Sequence, residues 1–390
     1  MKKKYFIYLV FLFLLKNTIA QVQLSTYAEI SIITAGPGSE LYEAFGHSAI
    51  RVKDPMLQLD LIYNYGMFDF NAPNFYSNFT KGKLIYKLGR YKFEYFLRSY
   101  HQDKRWVKEQ TLRLTPEEKQ SFFMYLERNA SPKNASYFYD PYYNNCATKL
   151  RDIVEHILGN KLLWNTNNLT KNKSLRVLMN KEIPWNTWGS FGINLALGNV
   201  LDKEITFREY MYLPDYVHKT FKDSQRFIKS STENLVEKET TILDFKEAKI
   251  RPIFLSPFLV FSCFCIIVLI FTFLDYKHKK RAAILDFTVL FSSGAVGVLL
   301  LFLWFFTDHS TTPNNFNILW AFAPNTIISF LMIKKDNVVL LHIYFKVLMI
   351  LLLLIPVFWI VGIQQFPLAA IPLLVALFFR YVYLSHFYKV

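Results

Sequence analysis

Cys146 is the residue of this chain whose type and position most clearly predict chemistry. It lies in YFYDPYYNNCATKLRDIVEHIL, residues 137–158, where an aromatic loop rich in Asp and Asn runs into a predicted helix. A helix that begins at Asn144 or Asn145, both favoured N-cap residues, places Cys146 in its first turn. Unpaired N–H groups and the helix dipole there stabilise a thiolate and a developing oxyanion. Cys146 is therefore the candidate nucleophile and Asn145 a candidate oxyanion or substrate-binding residue, with a buried structural thiol as the alternative.

A cysteine nucleophile needs a general base, which is usually a histidine. Between residues 21 and 252 the chain holds His47, His101, His156 and His218. His156 lies ten residues along the helix of Cys146, about 15 Å away, and is excluded. His47 opens the short apolar strand HSAIRV, whereas the other two lie in charged surroundings. His47 is the candidate base, and a turn or core histidine is the alternative.

The third member of a Cys–His–Asn set is predicted from a hairpin. HSAIRV and LDLIYNYG are β-rich runs joined by KDPMLQ, a connection with Asp-Pro. If Val52 pairs with Leu59, Asn64 lies directly opposite His47 and is the candidate partner of the base. If the strand register slips by two residues, two other side chains compete with Asn64 as the partner of His47: Tyr63 and Tyr65. Tyr65 is also a candidate for substrate binding.

Polar residues elsewhere are weaker candidates for substrate binding. Arg151, just over one helical turn past Cys146, would bind a phosphate or pair with a carboxylate of its own domain. Four polar residues in the C-terminal third of the chain are further candidates: Asp308, His309, Asn315 and Asn317.

The elements around these residues predict an α+β domain. Five β-rich runs come first: YAEISIITA, HSAIRV, LDLIYNYG, GKLIYKLG and WVKEQTLRL. TPEEKQSFFMYLERNA then starts with Thr115 as a cap, Pro116 at the first helical position and acidic residues in the first turn. The next helix, from Asn144 or Asn145, carries its apolar stripe on Ala147, Leu150 and Val154.

The two ends of the chain predict export and membrane anchoring. MKKKYFIYLVFLFLLKNTIAQ has the lysines, short apolar run and small residues of a signal peptide, cut after Ala20. Five apolar runs near the length of a spanning helix follow at 253–274, 284–306, 316–333, 338–360 and 366–384. The sequence therefore predicts a signal peptide at 1–20, an exported domain at 21–252 and a five-helix bundle at 253–390.

The charges of the loops give the orientation. Loops 275–281 and 334–337 are basic, whereas 307–315 and 361–366 contain no Lys or Arg. By the positive-inside rule the basic loops and the C-terminus are cytoplasmic, and residues 21–252 lie outside. The signal peptide independently predicts the same orientation, which is that of a multi-pass protein of a bacterial inner membrane with a periplasmic domain.

The net charge of +15 is explained by this topology. The signal contributes +4, the membrane part +5 and residues 21–252 only +6, so nucleic acid is not an expected partner. No metal-ligand spacing and no phosphate-binding glycine loop occurs in the sequence, and no cofactor is expected. Cys263 and Cys265 fall inside the first apolar run and cannot reach Cys146.

The order of the motifs resembles a known group. A histidine on an early strand followed by a cysteine at a helix start is similar to the circularly permuted NlpC/P60-like, papain-like proteins. More specifically, the chain resembles the Lnb family of lipoprotein N-acyltransferases. Six stretches carry this resemblance: FGHSAIRV, IYNYGMFDF, GKLIYKLG, YDPYYNNCATKLRD, PWNTWGSFGINLALGNVLDKEITFREYMYLP and HSTTPNNFNILWAFAP.

The resemblance implies a papain-like α+β exported domain and a defined reaction. In this family a fatty acyl chain passes from a phospholipid to the α-amino group of the diacylglyceryl-cysteine of a lipoprotein. His47 and Cys146 match the catalytic positions, whereas Asn64 rests on the hairpin. The implied partners are a phospholipid acyl donor, a diacylated lipoprotein acceptor and the membrane. At the outer edge of that membrane, Asp308, His309, Asn315 and Asn317 would line an acyl or head-group entrance or belong to a solvated loop.

Two other function classes remain open. A cell-wall cysteine peptidase or amidase of NlpC/P60 type would need only water and peptidoglycan, but five spanning helices exceed what an anchor requires. A non-catalytic envelope scaffold would tolerate Cys146→Ala without a change in phenotype.

Overall fold

The structure, a computed structural model, describes residues 22–166, 173–228, 231–247, 254–333 and 338–389. The predicted signal peptide, the predicted boundary at residues 252 and 253 and the basic loop 334–337 lie outside the described residues. An N-terminal part of strands and helices precedes a C-terminal helical part, so the α+β prediction is confirmed.

Antiparallel strands dominate the N-terminal part. The strands of the described residues are β1 (Glu29–Ala35), β2 (His47–Asp54), β3 (Leu59–Met67), β4 (Ile85–Lys92), β5 (Val107–Leu112), β6 (Ser136–Phe138), β7 (Leu162–Leu163), β8 (Gln225–Ile228), β9 (Ser231–Asn234) and β10 (Val236–Leu243). The main sheet has the order β10-β5-β1-β2-β3-β4-β6, and β7-β8-β9 form a small second sheet. Strands β2 and β3 are therefore neighbours near the middle of the main sheet. They carry His47 and Asn64, as the predicted hairpin requires.

Helices cover the sheet and close its ends. In the N-terminal part these are α1 (Phe75–Thr80), α2 (Phe93–Gln102), α3 (Pro116–Ala130), α4 (Cys146–Leu158), α5 (Leu175–Glu182), α6 (Trp188–Ala196), α7 (Phe207–Tyr210) and α8 (Pro214–Asp223). Thr115 and Glu118 form a capping box at the start of α3, as its sequence predicted. Helix α4 begins at Cys146, and the Asn145 side chain accepts a bond from the Thr148 N–H. Both predicted helix starts are confirmed.

The β2–β3 hairpin differs from its prediction by two residues. Val52 pairs with Leu61, not with Leu59, and Leu59 pairs with Asp54. The Asp54 carboxylate accepts bonds from the Met56 and Leu57 N–H groups, so the turn closes over residues 55–58 and leaves Asp54 in the strand. A shift of two residues returns every side chain to the same face of a sheet. His47 and Asn64 therefore share a face despite the wrong register.

Alternating side chains divide the core between the two faces of the sheet. On one face Ile50 and Val52 pack with residues of α3 and α4, including Cys146. On the other face Ala49 and Ile62 pack with Phe96 of α2. Helix α4 packs against β2 and β3, so its first turn lies next to these two strands.

Long apolar helices form the C-terminal part. Its described helices are α9 (Pro257–His278), α10 (Ala283–Phe305), α11 (Asn325–Leu331), α12 (Val338–Val361) and α13 (Ile371–Phe387). Among the described residues, four spans are long and apolar enough to cross a membrane: Pro257–His278, Ala283–Phe305, Leu340–Val361 and Leu368–Phe387.

The prediction of five spanning helices is wrong for the third apolar run, 316–333, which is not one continuous helix. It still passes between the two ends of the helical part, because Asn317 donates to Leu195 O at one end and Met332 O accepts from Arg281 at the other. This run forms a 3₁₀ turn at Phe316–Leu319, an irregular stretch and the short helix α11. Pro324 explains the break, because proline lacks an N–H and clashes with the carbonyl four residues before it. The Asn325 amide beside the break donates to Ser293 and accepts from Tyr344, so its polar groups are satisfied inside the protein.

Hydrogen bonds join the two parts of the chain at one end of the long helices. The Gly198 N–H donates to Thr311 O at 2.9 Å, and the Gln365 N–H donates to Asp202 at 3.2 Å. The loops without Lys or Arg, 307–315 and 361–366, therefore lie against the N-terminal part. At the other end of the helices Arg281 donates to Tyr388, close to the C-terminus.

Candidate active site

His47, Asn64 and Cys146 meet at one end of β2. His47 is the first residue of β2, Asn64 lies on β3 and Cys146 is the first residue of α4. The His47 Nε2–H donates to Asn64 Oδ1 at 2.6 Å. Because Nε2 is occupied, the other ring nitrogen, Nδ1, remains for the hydrogen bond between His47 and Cys146. The structure thus brings together the three residues that the sequence predicted as a catalytic set.

The environment of the Cys146 thiol favours its ionised form. Its burial alone would raise its pKa, but the charge and hydrogen bond of His47 outweigh burial, and backbone bonds from Ser48 and Ala147 add to the effect. The pKa of Cys146 is therefore lowered from its ordinary value. A thiol with a lowered pKa next to a histidine is typical of a nucleophilic cysteine rather than of an inert buried one.

The His47 imidazole is shifted in the opposite direction. Burial alone would lower its pKa, but the negative charge of the Cys146 thiolate, the hydrogen bond to Cys146 and the one to Asn64 raise it above the ordinary value. Arg105 opposes this rise only in part. Opposite shifts of the two pKa values favour a thiolate–imidazolium pair.

Several positioning residues could not be found from the sequence. The Asn64 side-chain amide donates to Tyr91 Oη at 2.9 Å, which leaves Asn64 Oδ1 directed at His47. The His47 ring stacks on Tyr100 with 6.5 Å between ring centroids and an interplanar angle of 17°. The Arg105 guanidinium lies 4.7 Å from the centroid of the Tyr100 ring. No local motif marks these residues, because strand pairing and helix packing bring them to His47.

Gly66 leaves space beside the thiol. Its φ is +91°, and a Cβ on Gly66 would lie 3.6 Å from the Tyr139 ring and 3.9 Å from Cys146 Cβ. The pairing of β3 with β4 is irregular between Asn64 and Met67, so the backbone turns away from the ladder at this point. Glycine adopts this positive φ without strain, so the backbone of β3 can run next to both Cys146 and Tyr139.

Two candidates from the helix of Cys146 have structural partners. The Asn145 amide nitrogen donates to Pro141 O and Tyr212 O while its oxygen caps the helix, so its polar atoms already have protein partners. Arg151 binds the Asp152 carboxylate and the Arg208 carbonyl oxygen. Of its two predicted alternatives, the structure shows pairing with a carboxylate.

Tyr65 lies on the other face of β3 from His47. It is buried in the core cluster that includes Cys146, and its ring contacts Tyr137 edge to face at 6.0 Å. Burial raises the pKa of Tyr65, and the charge of Tyr125 raises it further.

The outer loop of the membrane part touches the N-terminal part at separate points. His309 contacts the Phe79 ring at 6.5 Å, and the Asp308 N–H donates to Lys81 O. Asn317 is fully buried and donates to Asn194 O and Leu195 O, as Asn315 does to Leu195 O. Asn317 therefore anchors the two parts to each other, whereas His309 is half-buried next to α1.

Alkylation of the thiol should show the lowered pKa directly. In a Cys263→Ser/Cys265→Ser background, the rate of Cys146 alkylation by iodoacetamide should rise with pH through a midpoint below about 8.5. An alkylation midpoint at or above the ordinary cysteine value would contradict the ion pair.

Two family models match the chain. A family model described as the Lnb N-terminal periplasmic domain matches residues 15–188. A second, described as the Lnb transmembrane domain, matches residues 249–390. No curated protein and no solved structure matches the chain. The two matches occur in the expected order and confirm the family that the sequence motifs predicted.

Proposed function

Because the chain belongs to the Lnb family, we propose that it is a lipoprotein N-acyltransferase that works through a thioester on Cys146. The observation that carries this proposal is the hydrogen-bonded set of Cys146, His47 and Asn64 at a helix start, in a domain tied to spanning helices. Both proposed substrates, a phospholipid and a diacylated lipoprotein, are held in the membrane. An enzyme for them needs its nucleophile close to the membrane surface.

In the first half-reaction the phospholipid is cleaved. The Cys146 thiolate attacks the carbonyl carbon of an acyl ester, and the ester C–O bond breaks as the thioester C–S bond forms. The departing glycerol oxygen takes the proton of the His47 imidazolium and leaves as a lysophospholipid. Asn64 holds the ring so that Nδ1 stays directed at the sulfur and the leaving group.

In the second half-reaction the acyl chain moves to the lipoprotein. The α-amino group of the diacylglyceryl-cysteine attacks the thioester carbon, and His47 takes a proton from the nitrogen. The C–S bond breaks, an amide forms and Cys146 returns as a thiolate beside the imidazolium. This resting pair is the state that the opposite pKa shifts favour.

Backbone N–H groups are the proposed oxyanion donors. Ser48 and Ala147 donate backbone bonds to the Cys146 sulfur, and Cys146 contributes the first N–H of α4, which has no acceptor within its own helix. Donors fixed in this way stabilise the tetrahedral intermediate without reorganisation. This assignment replaces the side chain of Asn145, whose amide is used by the helix cap and two carbonyl groups.

We also propose a papain-like arrangement and an inner-membrane location. A Cys–His–Asn set with the cysteine at a helix start against an antiparallel sheet supports the first. The side of the membrane follows from the loops: 307–315 and 361–366, which lack Lys and Arg, contact the N-terminal part, whereas Arg281 and the C-terminus lie at the opposite end. The positive-inside rule makes that opposite end cytoplasmic.

Mass spectrometry of one lipoprotein from cells with and without this protein tests the function. The N-terminal peptide should lose one amide-linked acyl chain in the deletion strain and regain it when the gene is restored. An unchanged peptide would reject the proposal, and altered peptidoglycan fragments with an unchanged lipoprotein would favour the hydrolase.

A further inference from the structure

A continuous series of aromatic rings runs outward from the neighbourhood of Cys146. Successive ring centroids along it lie 4.3, 5.0, 4.8, 5.3 and 6.2 Å apart. We call this series the aromatic cluster, and it consists of Tyr139, Tyr86, Phe68, Phe70, Phe75 and Phe79. The catalytic set does not use the cluster.

The inner end of the aromatic cluster lies at the nucleophile. Tyr139 and Cys146 both border the space left by the missing side chain of Gly66. The pKa of Tyr139 is raised well above its ordinary value by burial and then by the charge of Cys146, which agrees with this proximity. Cys146 itself is only 8% exposed, so an apolar substrate needs a covered route to reach it.

The outer end lies where a spanning helix ends. Phe79 contacts His309, four residues past Phe305, the last residue of α10. The turn after α1 touches the same loop through its backbone, because a Cβ on Gly82 would lie 2.5 Å from the His309 nitrogen. Phe305 is 63% exposed, as is usual for aromatic side chains at the level of the lipid head groups.

The outer members of the cluster are exposed to an unusual degree for large apolar side chains. Phe70 is 48% exposed and Phe79 is 49% exposed, and Tyr76 beside them is 70% exposed. Contiguous exposed apolar surface marks an interaction site. Lys81 and Lys83 flank the outer end, and lysines at this level attract the anionic surface of a membrane.

We propose that the aromatic cluster holds the acyl chain of the phospholipid donor between the membrane and Cys146. This inference rests on the proposed function. The phospholipid donor is the proposed occupant because its ester carbonyl must lie at the Cys146 sulfur during the reaction. The aromatic cluster is the apolar surface that begins beside Cys146 and ends at the membrane part. A row of packed aromatic rings accommodates a flexible chain by contact area and without hydrogen bonds.

Photo-crosslinking tests the occupant without requiring turnover. The full-length Cys146→Ala protein in nanodiscs should be labelled within residues 68–83 by a phosphatidylethanolamine that carries a diazirine in its acyl chain. Labelling confined to the spanning helices would overturn the inference. Labelling of 68–83 by a diazirine-bearing diacyl lipopeptide but not by the phospholipid would assign the surface to the acceptor and also overturn it.

A paired substitution tests whether the cluster serves the reaction. Phe70→Ser/Phe79→Ser should lower labelling and phospholipid-dependent acylation of Cys146 by about tenfold or more, because both side chains contribute apolar contact area. Alkylation of Cys146 by iodoacetamide should be unchanged, which excludes misfolding. Phe227→Ser is the matched control, since Phe227 is 45% exposed and lies on β8 away from the cluster.

The two proposals fail in different ways. Unchanged labelling and acylation in the paired variant would overturn the role of the cluster while leaving the acyltransferase intact. If the wild-type protein is labelled at 68–83 but no phospholipid acylates Cys146, the result supports the lipid site and overturns the proposed function.

Discussion

Cys146→Ala should abolish acyl transfer while leaving the fold and the membrane anchoring unchanged. The thioester cannot form without the sulfur, and loss of the nucleophile in an enzyme of this type costs on the order of 10⁶-fold in rate. Alanine fills most of the buried site and keeps the first turn of α4, because the cap depends on Asn145 and Thr148. The measurement is intact-protein mass spectrometry of purified protein after incubation with phospholipid, followed by transfer to a synthetic diacylated lipopeptide.

Cys265→Ala is the matched control for this experiment. Cys265 is also a buried free cysteine, with the same 8% exposure as Cys146, but it lies in the spanning helix α9. That variant should acylate the lipopeptide at the wild-type rate. Acyl transfer that persists in Cys146→Ala would remove the thioester, and Cys146 as nucleophile, from the mechanism.

His47→Ala should lower the rate of thioester formation by about 10²–10⁴-fold, the usual contribution of a positioned acid–base group. Two effects combine in this loss. Without the imidazolium the pKa of Cys146 rises, since burial is then opposed only by backbone bonds. The glycerol oxygen of the donor also loses its source of a proton. The measurement is the rate of Cys146 acylation together with the pH dependence of its alkylation.

The alkylation profile separates a catalytic His47 from a merely structural one. In His47→Ala the alkylation midpoint should move to higher pH, and added imidazole should restore part of the acylation rate. His101→Ala is the control, because His101 is exposed and contacts Phe245 instead of Cys146. An unmoved midpoint in His47→Ala would show that the lowered pKa of Cys146 has another source.

The attachment of the N-terminal part to the spanning helices fixes the site relative to the membrane. Arg176 is fully buried; it binds Asp202 and the Gly198 carbonyl oxygen, and Asp202 accepts the Gln365 N–H from the other part. Burial raises the pKa of Asp202, and the charge of Arg176 opposes that rise. This buried pair ties the N-terminal part to the spanning helices and so fixes the position of Cys146 relative to them, which the proposed transfer between two membrane-held substrates would require.

The sequence by itself determined the features that depend on near neighbours in the chain. The capping box at Thr115 and the start of α4 after Asn145 follow from side chains that bond backbone groups three residues away. The apolar stripes and alternating strands likewise predicted the α+β domain, and the paired motifs around His47 and Cys146 predicted the family. These predictions succeed because a cap or a stripe is complete within one turn or one strand.

Only the tertiary structure decided the features that depend on distant partners. Tyr91 and Tyr100 reach His47 from other elements of the fold. The hairpin register and the break in the third apolar run have local causes instead, the Asp54 carboxylate in the turn and Pro324, whose effects the apolar pattern alone does not predict. Asn64 was identified from a wrong register only because the side chains of a strand repeat every two residues. No single sequence pattern marks the aromatic cluster, because its rings come from separate strands, loops and a helix. Contacts of this kind arise when elements pack together, and the local pattern of the chain does not encode which elements will meet.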